Sequence, residues 1–308
     1  MKKYNKTTLK GLMMFTIITL IGFSNAKAQL SPFGAMYFQN QYLGNPSLAG
    51  AEEGFRMDLG YNSQQTNMPG SPNTQAITMG YRVKKVGMGL NVTMDQAGLI
   101  SRTRVMGTYA YHLTLDNDLG FLRFGLSMGL GKDRISGDIS GDATDVSIAK
   151  YNQRAAYLDG DFGLTYEKKA LTLQLAVLNL NTFFRSDVAN SSNVVDRSKF
   201  FGAISYKVAL AKTAGGIGLE PKIVYRKNEI GYKAYIIDLG TNVTLLNERA
   251  SFMAMYHSTN SVSLGLGSKV TDNFSINAFY TTATAAYNGN TNGDFEIHLK
   301  MNLSKSAK

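Results

Sequence analysis

Three histidines, His112, His257 and His298, are the first residues in this 308-residue chain to ask for chemistry. None has a second imidazole or a carboxylate at metal-ligand spacing, so none builds a zinc-type site. Each falls in or beside a stretch of strand pattern and reads as an interior or rim histidine. Serine and threonine are plentiful, but no Gly-x-Ser-x-Gly marks a nucleophile. The stretch from Asp133 to Asp145, with Asp138 and Asp142 between, gathers carboxylates as a hard cation would want them. It lacks an oxygen side chain at every second residue, so it reads as a solvated loop. Gly129-Leu-Gly131 and Gly265-Leu-Gly267 look like fragments of nucleotide loops, but no helical pattern follows them. The absence of cysteine removes disulfides and thiolate metal sites. The inventory implies no enzyme, no cofactor and no metal.

The elements that carry these residues are strands. Val86, Met88, Leu90, Val92 and Met94 alternate with Gly87, Gly89, Asn91, Thr93 and Asp95, a period of two with one apolar and one polar face. The same alternation recurs at 54–63, 74–83, 86–95, 103–113, 121–131, 155–167, 170–179, 199–210, 216–226, 232–244, 249–257, 261–268, 273–283 and 294–303. Fourteen strands is an even number, as bacterial single-chain barrels have. Connections after even-numbered strands are short, such as Lys84-Lys85 and Lys168-Lys169, whereas 64–73, 132–154, 180–198 and 284–293 are long. Short turns on one side and long loops on the other are the asymmetry of an outer-membrane barrel, turns periplasmic and loops outside. Mean hydropathy is slightly negative and, beyond the N-terminus, no stretch approaches a spanning helix. The expected fold is all-β, a transmembrane up-and-down antiparallel barrel; a soluble sandwich or propeller is the runner-up, without a blade-length repeat to support it.

Residues 1–28 read as a signal peptide. Lys2, Lys3, Lys6 and Lys10 precede a short apolar run, and Ala26-Lys27-Ala28 suits cleavage after Ala28. Thirteen apolar residues are too few to cross a hydrocarbon core of about 30 Å as a helix. Five of the ten net positive charges lie there, leaving +5 on the mature chain, so a nucleic-acid partner loses its support. Residues 29–52 do not alternate. They are aromatic and turn-rich, and read as an N-terminal periplasmic or plug-like segment ahead of a barrel at 53–308. A fourteen-strand barrel encloses more space than side chains fill, and Gly87, Gly89, Gly125, Gly129, Gly265 and Gly267 face inward on this reading. The lumen must hold water or a plug, and 29–52 is the free segment. Phe33, Tyr37, Tyr42, Asn45, Pro46 and Gly50 are its candidate plug or partner residues.

Pro32-Phe33, Tyr37 and Asn45-Pro46-Ser47-Leu48-Ala49-Gly50 resemble the N-terminal motif of the PorP/SprF family of Bacteroidetes outer-membrane proteins, where Asn-Pro-Ala-x-Ala-Gly is typical. Gly87 to Gly98 is similar to the family's Gly-x-Gly…Asp-x-x-Gly stretch. Asp161-Phe-Gly163-Leu-Thr-Tyr166, Leu178-Asn179 and Phe295-Glu296-Ile297 follow in the same order. Ser47 stands where alanine is usual, and Met57 to Leu59 lacks the early tryptophan. The resemblance implies an outer-membrane component of type IX secretion and gliding motility, set in outer-membrane lipid. Its partners would be other secretion components and a secreted, adhesin-like client. The competing reading is a passive porin or a hydrophobic-solute transporter.

Overall fold

The structure, a computed structural model, describes residues 33–66, 70–115, 120–135, 146–181, 198–211, 216–228, 235–283 and 292–303. The signal peptide with its cleavage site, residues 29–32, most of the acidic loop after Asp133 and most of 180–198 lie outside the described residues.

The strands are β1 (Gly54–Ser63), β2 (Asn73–Val83), β3 (Val86–Ala97), β4 (Ile100–Leu115), β5 (Gly120–Ile135), β6 (Tyr157–Lys168) and β7 (Leu171–Val177). They continue as β8 (Ser198–Tyr206), β9 (Val208–Ala211), β10 (Ile217–Asn228), β11 (Tyr235–Leu245), β12 (Ala250–His257), β13 (Ser261–Thr271), β14 (Phe274–Thr281) and β15 (Asp294–Leu303). All pairings are antiparallel. β8 and β9 both pair with β10 and are two parts of one stave broken at Lys207, so fifteen strands make fourteen staves. β15 returns to β1, with Leu303 opposite Phe55 and Phe295 opposite Ser63. The sheet closes, and closure is what lipid demands, because an open edge would strand backbone donors and acceptors in hydrocarbon.

Alternation decides the two faces. Leu126, Met128, Leu130 and Leu266 point outward and stay exposed, between 53% and 66% of their surface. Mid-strand charges such as Asp58, Arg104, Asp161, Lys222, Arg226 and Asp238 are buried in the interior. All three histidines face inward and are buried.

Besides the break at Lys207 in the expected strand 199–210 and the run of β5 on to Ile135, the chain differs from expectation in three further places. β3 and β4 run on until only Gly98-Leu99 joins them, and Gly98 takes the positive φ of +57° that such a tight turn requires. β7 stops at Val177, because Asn179 turns left-handed at φ +54° and sends the chain off the ladder. Within the expected loop 132–154 lies a short helix (Val146–Asn152), tied back to β5 by Asn152, whose side chain bonds both the N–H and the carbonyl of Ile135. The short turns use left-handed residues at Lys84 and Lys169, the geometry that matches strand twist.

Leu126→Arg, which sets a charge at mid-strand on the lipid face, is expected to destabilise the barrel by about 2–4 kcal/mol. Urea titration read by heat-modifiable gel migration measures this, and Leu126→Phe should behave as the parent.

Candidate functional site

The site is the strip 33–53, which runs inside the barrel before entering β1. It consists of one helical turn, α1 (Ala35–Phe38), and two single 3-10 turns at Gln41–Leu43 and Pro46–Leu48. Asn45 sets the second 3-10 turn. Its Oδ1 accepts from Ser47 N at 3.0 Å and from Ser47 Oγ at 2.8 Å, while Pro46 supplies a preset φ at the first helical position. The tripeptide Asn45-Pro46-Ser47 is thus a preformed turn before any tertiary contact is made.

That turn is pressed against the wall where the wall has no side chains. A Cβ at Gly125 would overlap Pro46 and the Ser47 nitrogen; one at Gly163 would overlap Asn45 Oδ1 and Pro46. Gly87 lies under the Ala49 carbonyl, Gly89 under the Tyr42 ring, and Gly80 beside the Gly50 nitrogen. Gly50 itself sits at φ +61° against Gly87 and the Tyr81 carbonyl, where an L side chain would be strained and would clash. The inward glycines of β2, β3, β5 and β6 therefore form one groove, and 45–50 fills it. Asn45, Ala49 and Ser47 are fully buried there.

Side chains then fasten the strip along its length. Nearest the long-loop end, the Glu296 carboxylate accepts from Gly34 N at 2.6 Å and Ala35 N at 3.0 Å, capping α1. Tyr37 donates to Asp238 at 2.9 Å, and Lys222 donates to the Tyr37 carbonyl and to Gln41. Asn40 donates to Thr78, Tyr42 shares a hydrogen bond with Thr108, and Asn45 donates to Thr165. His112 Nε2 lies 3.0 Å from the Ala49 carbonyl, which can only accept, so the proton is on Nε2. At the short-turn mouth, Glu52 meets Arg56, Lys300 and Asn302. Burial pushes the Tyr37 and Tyr42 phenols well above their ordinary range, which keeps both protonated.

All six residues marked in the sequence lie in this strip. Phe33 packs over Gly60, and Phe33 and Tyr37 are buried inside the barrel rather than displayed at its rim. The sequence reading missed an apolar lining. Phe201, Val224, Met253, Met255 and Phe279 face inward and pack with Met36 and Tyr37 into a buried cluster. The signal was there: Phe252-Met253-Ala254-Met255-Tyr256 is apolar on both faces, the pattern of a strand covered on both sides.

A second omission is a hydrogen-bonded series in nucleophile–base–acid order. Ser263 Oγ lies 2.7 Å from His257 Nε2, and His257 Nδ1 lies 2.7 Å from Asp238. Three contacts turn it to structure. Arg226 meets the Asp238 charge, Thr281 shares the Ser263 hydroxyl, and the Tyr37 ring covers the imidazole at 5.8 Å. With its charge shared by Arg226 and Tyr37, Asp238 locks the strip to β10 and β11.

Gly125→Val should cost about 1–3 kcal/mol of strip packing and unseat 45–50 while leaving the barrel closed. Polar maleimide should then label Ser47→Cys severalfold faster than in the parent background. Gly107→Val, whose added Cβ meets nothing closer than 3.8 Å, should leave the labelling slow.

Among solved structures, the CymD monoaromatic hydrocarbon channel is similar at a TM-score of 0.50 and 12% identity, over 90% of this chain and 95% of that one. The Ralstonia pickettii toluene transporter TbuX matches at 0.45 and 12%, over 91% and 96%, and Acinetobacter baumannii Omp33 at 0.44 and 12%, over 82% and 100%. At 12% identity the likeness to the CymD channel is one of fold alone. No curated protein matches the chain. The family model for the type IX secretion system membrane protein PorP/SprF matches residues 26–301. With a closed barrel, an inward glycine groove and a family match over nearly its whole length, the chain belongs to the PorP/SprF family of outer-membrane proteins of type IX secretion.

Proposed function

We propose that this barrel is a non-enzymatic component of the type IX secretion and gliding machinery that supports export or surface attachment of one client, and that 29–52 is its internal closure. The observation that carries the reading is the seat of Asn45–Gly50. A passive porin gains from an open lumen, whereas here five glycines of the wall admit a strip that lies across it. Phe33, Tyr37, Tyr42, Asn45, Pro46 and Gly50 serve closure on this account. Any docking by the segment falls to the face it turns toward the short-turn mouth, which barrel topology assigns to the periplasm.

Deletion of residues 33–50 is the test. The strands are intact in that variant, so the barrel should still insert, with raised conductance in planar bilayers. The client should be missing from the cell surface. Normal display of the client together with unchanged conductance would refute the proposal. A large conductance in the undeleted protein would favour the porin or solute-transporter reading instead.

A further inference from the structure

Beneath the strip the barrel keeps an unfilled chamber of about 890 Å³. Its roof is Phe38–Tyr42 and Leu48–Glu52, and its walls end at the short turns. The strip closes it above, so anything entering does so from the mouth and must end or turn back inside. Most charges lining the interior are already met: Arg56 binds Glu52 and Asp58, Lys300 binds Glu52, and Arg123 pairs with Glu167. The exposed charges at the rim differ. Lys169 at the β6–β7 turn, Lys207 at the β8–β9 break and Glu248 at the β11–β12 turn make no ion pair among the described residues. Asp272, further round the rim, has only a loose 3.9 Å contact to Arg249.

We propose that this vestibule seats a chain end or hairpin of a periplasmic partner polypeptide. The lining is what selects the class. Phe38 and Leu48 offer apolar surface, Asn242 and Asn302 offer amides, and the rim offers both signs of charge on different arcs. A hydrocarbon would leave the amides and charges unmet, and a phosphate would use only the lysines. A polypeptide uses all of them, since its backbone both donates and accepts and its side chains supply apolar and charged groups. The proposal rests on the functional reading above in two respects: the short turns face the periplasm, and the strip stays seated as the roof.

The chain has no cysteine, so single cysteines report cleanly. Thr172→Cys and Ser275→Cys line the vestibule, Lys85→Cys marks a turn outside it, and Ser47→Cys reports the seat of the strip. The probe is a polar maleimide, applied to isolated outer membranes and to the purified barrel. Labelling of the two vestibule positions should be severalfold slower in membranes than in purified protein. A urea wash that strips peripheral chains should abolish the difference, as should protease or the double change Lys169→Glu/Lys207→Glu. Lys85→Cys should label equally throughout. Equal labelling of the vestibule in both preparations would overturn the proposal, and so would protection that survives purification. Protection removed by lipid extraction but resistant to protease would replace the polypeptide with a lipid. Fast labelling of Ser47→Cys in membranes would mean that the strip is unseated and that the functional reading has failed. Labelling of Lys85→Cys from outside intact cells would overturn the topology and this proposal with it.

Discussion

The approach of Asn45–Gly50 to a side-chain-free groove is the contact on which the rest of the interior depends. A fourteen-stave barrel cannot be filled from its own walls, because side chains reach only part of the way to the axis. A second piece of chain must enter, and its backbone must come close enough to pack. Gly80, Gly87, Gly89, Gly125 and Gly163 make that possible on β2, β3, β5 and β6, with the small Ala110 of β4 between Gly87 and Gly125. Glycine costs a strand roughly 0.5–1 kcal/mol relative to alanine, and the cost is offset by burying Asn45, Ser47 and Ala49. The Asn-Pro-x-x-Ala-Gly and Gly-x-Gly motifs are therefore two halves of one contact, separated by some forty residues of sequence.

Once 45–50 is seated, the remainder of the strip is carried up the lumen past partners that would otherwise be costly. Buried carboxylates such as Asp238 and Glu296 require hydrogen-bond donors. Arg226, His257 and Tyr37 serve the first, and two backbone N–H groups of α1 serve the second. Removal of the strip would strip Glu296 of both of those donors and expose Met253, Met255 and Phe279. The Phe33–Tyr37 half is held by an apolar cluster together with charge-assisted bonds, and the Asn45–Gly50 half by close backbone packing together with neutral hydrogen bonds.

The barrel was legible in the sequence because lipid enforces apolar residues along most of the outer face. Leu122, Phe124, Leu126, Met128 and Leu130 must all be apolar, whatever stands between them. Positions facing a filled lumen obey no such rule. Met253 and Met255 are apolar because α1 lies over them, and period two cannot express a contact with a segment two hundred residues away. The inward glycines could be recognised as small positions, but not as a groove, since their alignment depends on strand register. The triad-like series Asp238, His257 and Ser263 was invisible for the same reason: it is assembled across β11, β12 and β13. The turn at Asn45-Pro46 was readable because its chemistry is local.

The most direct measurement is a disulfide between the strip and the wall. Ser47 Oγ and Thr165 Oγ1 lie 2.7 Å apart, so sulfur at both positions is placed for a bond with little backbone movement. In a chain otherwise free of cysteine, Ser47→Cys/Thr165→Cys should oxidise nearly completely in outer-membrane vesicles and shift the electrophoretic mobility of the denatured protein. If both thiols instead remain free and alkylate readily in the folded, membrane-inserted barrel, the strip does not occupy the groove and the account of the interior is wrong.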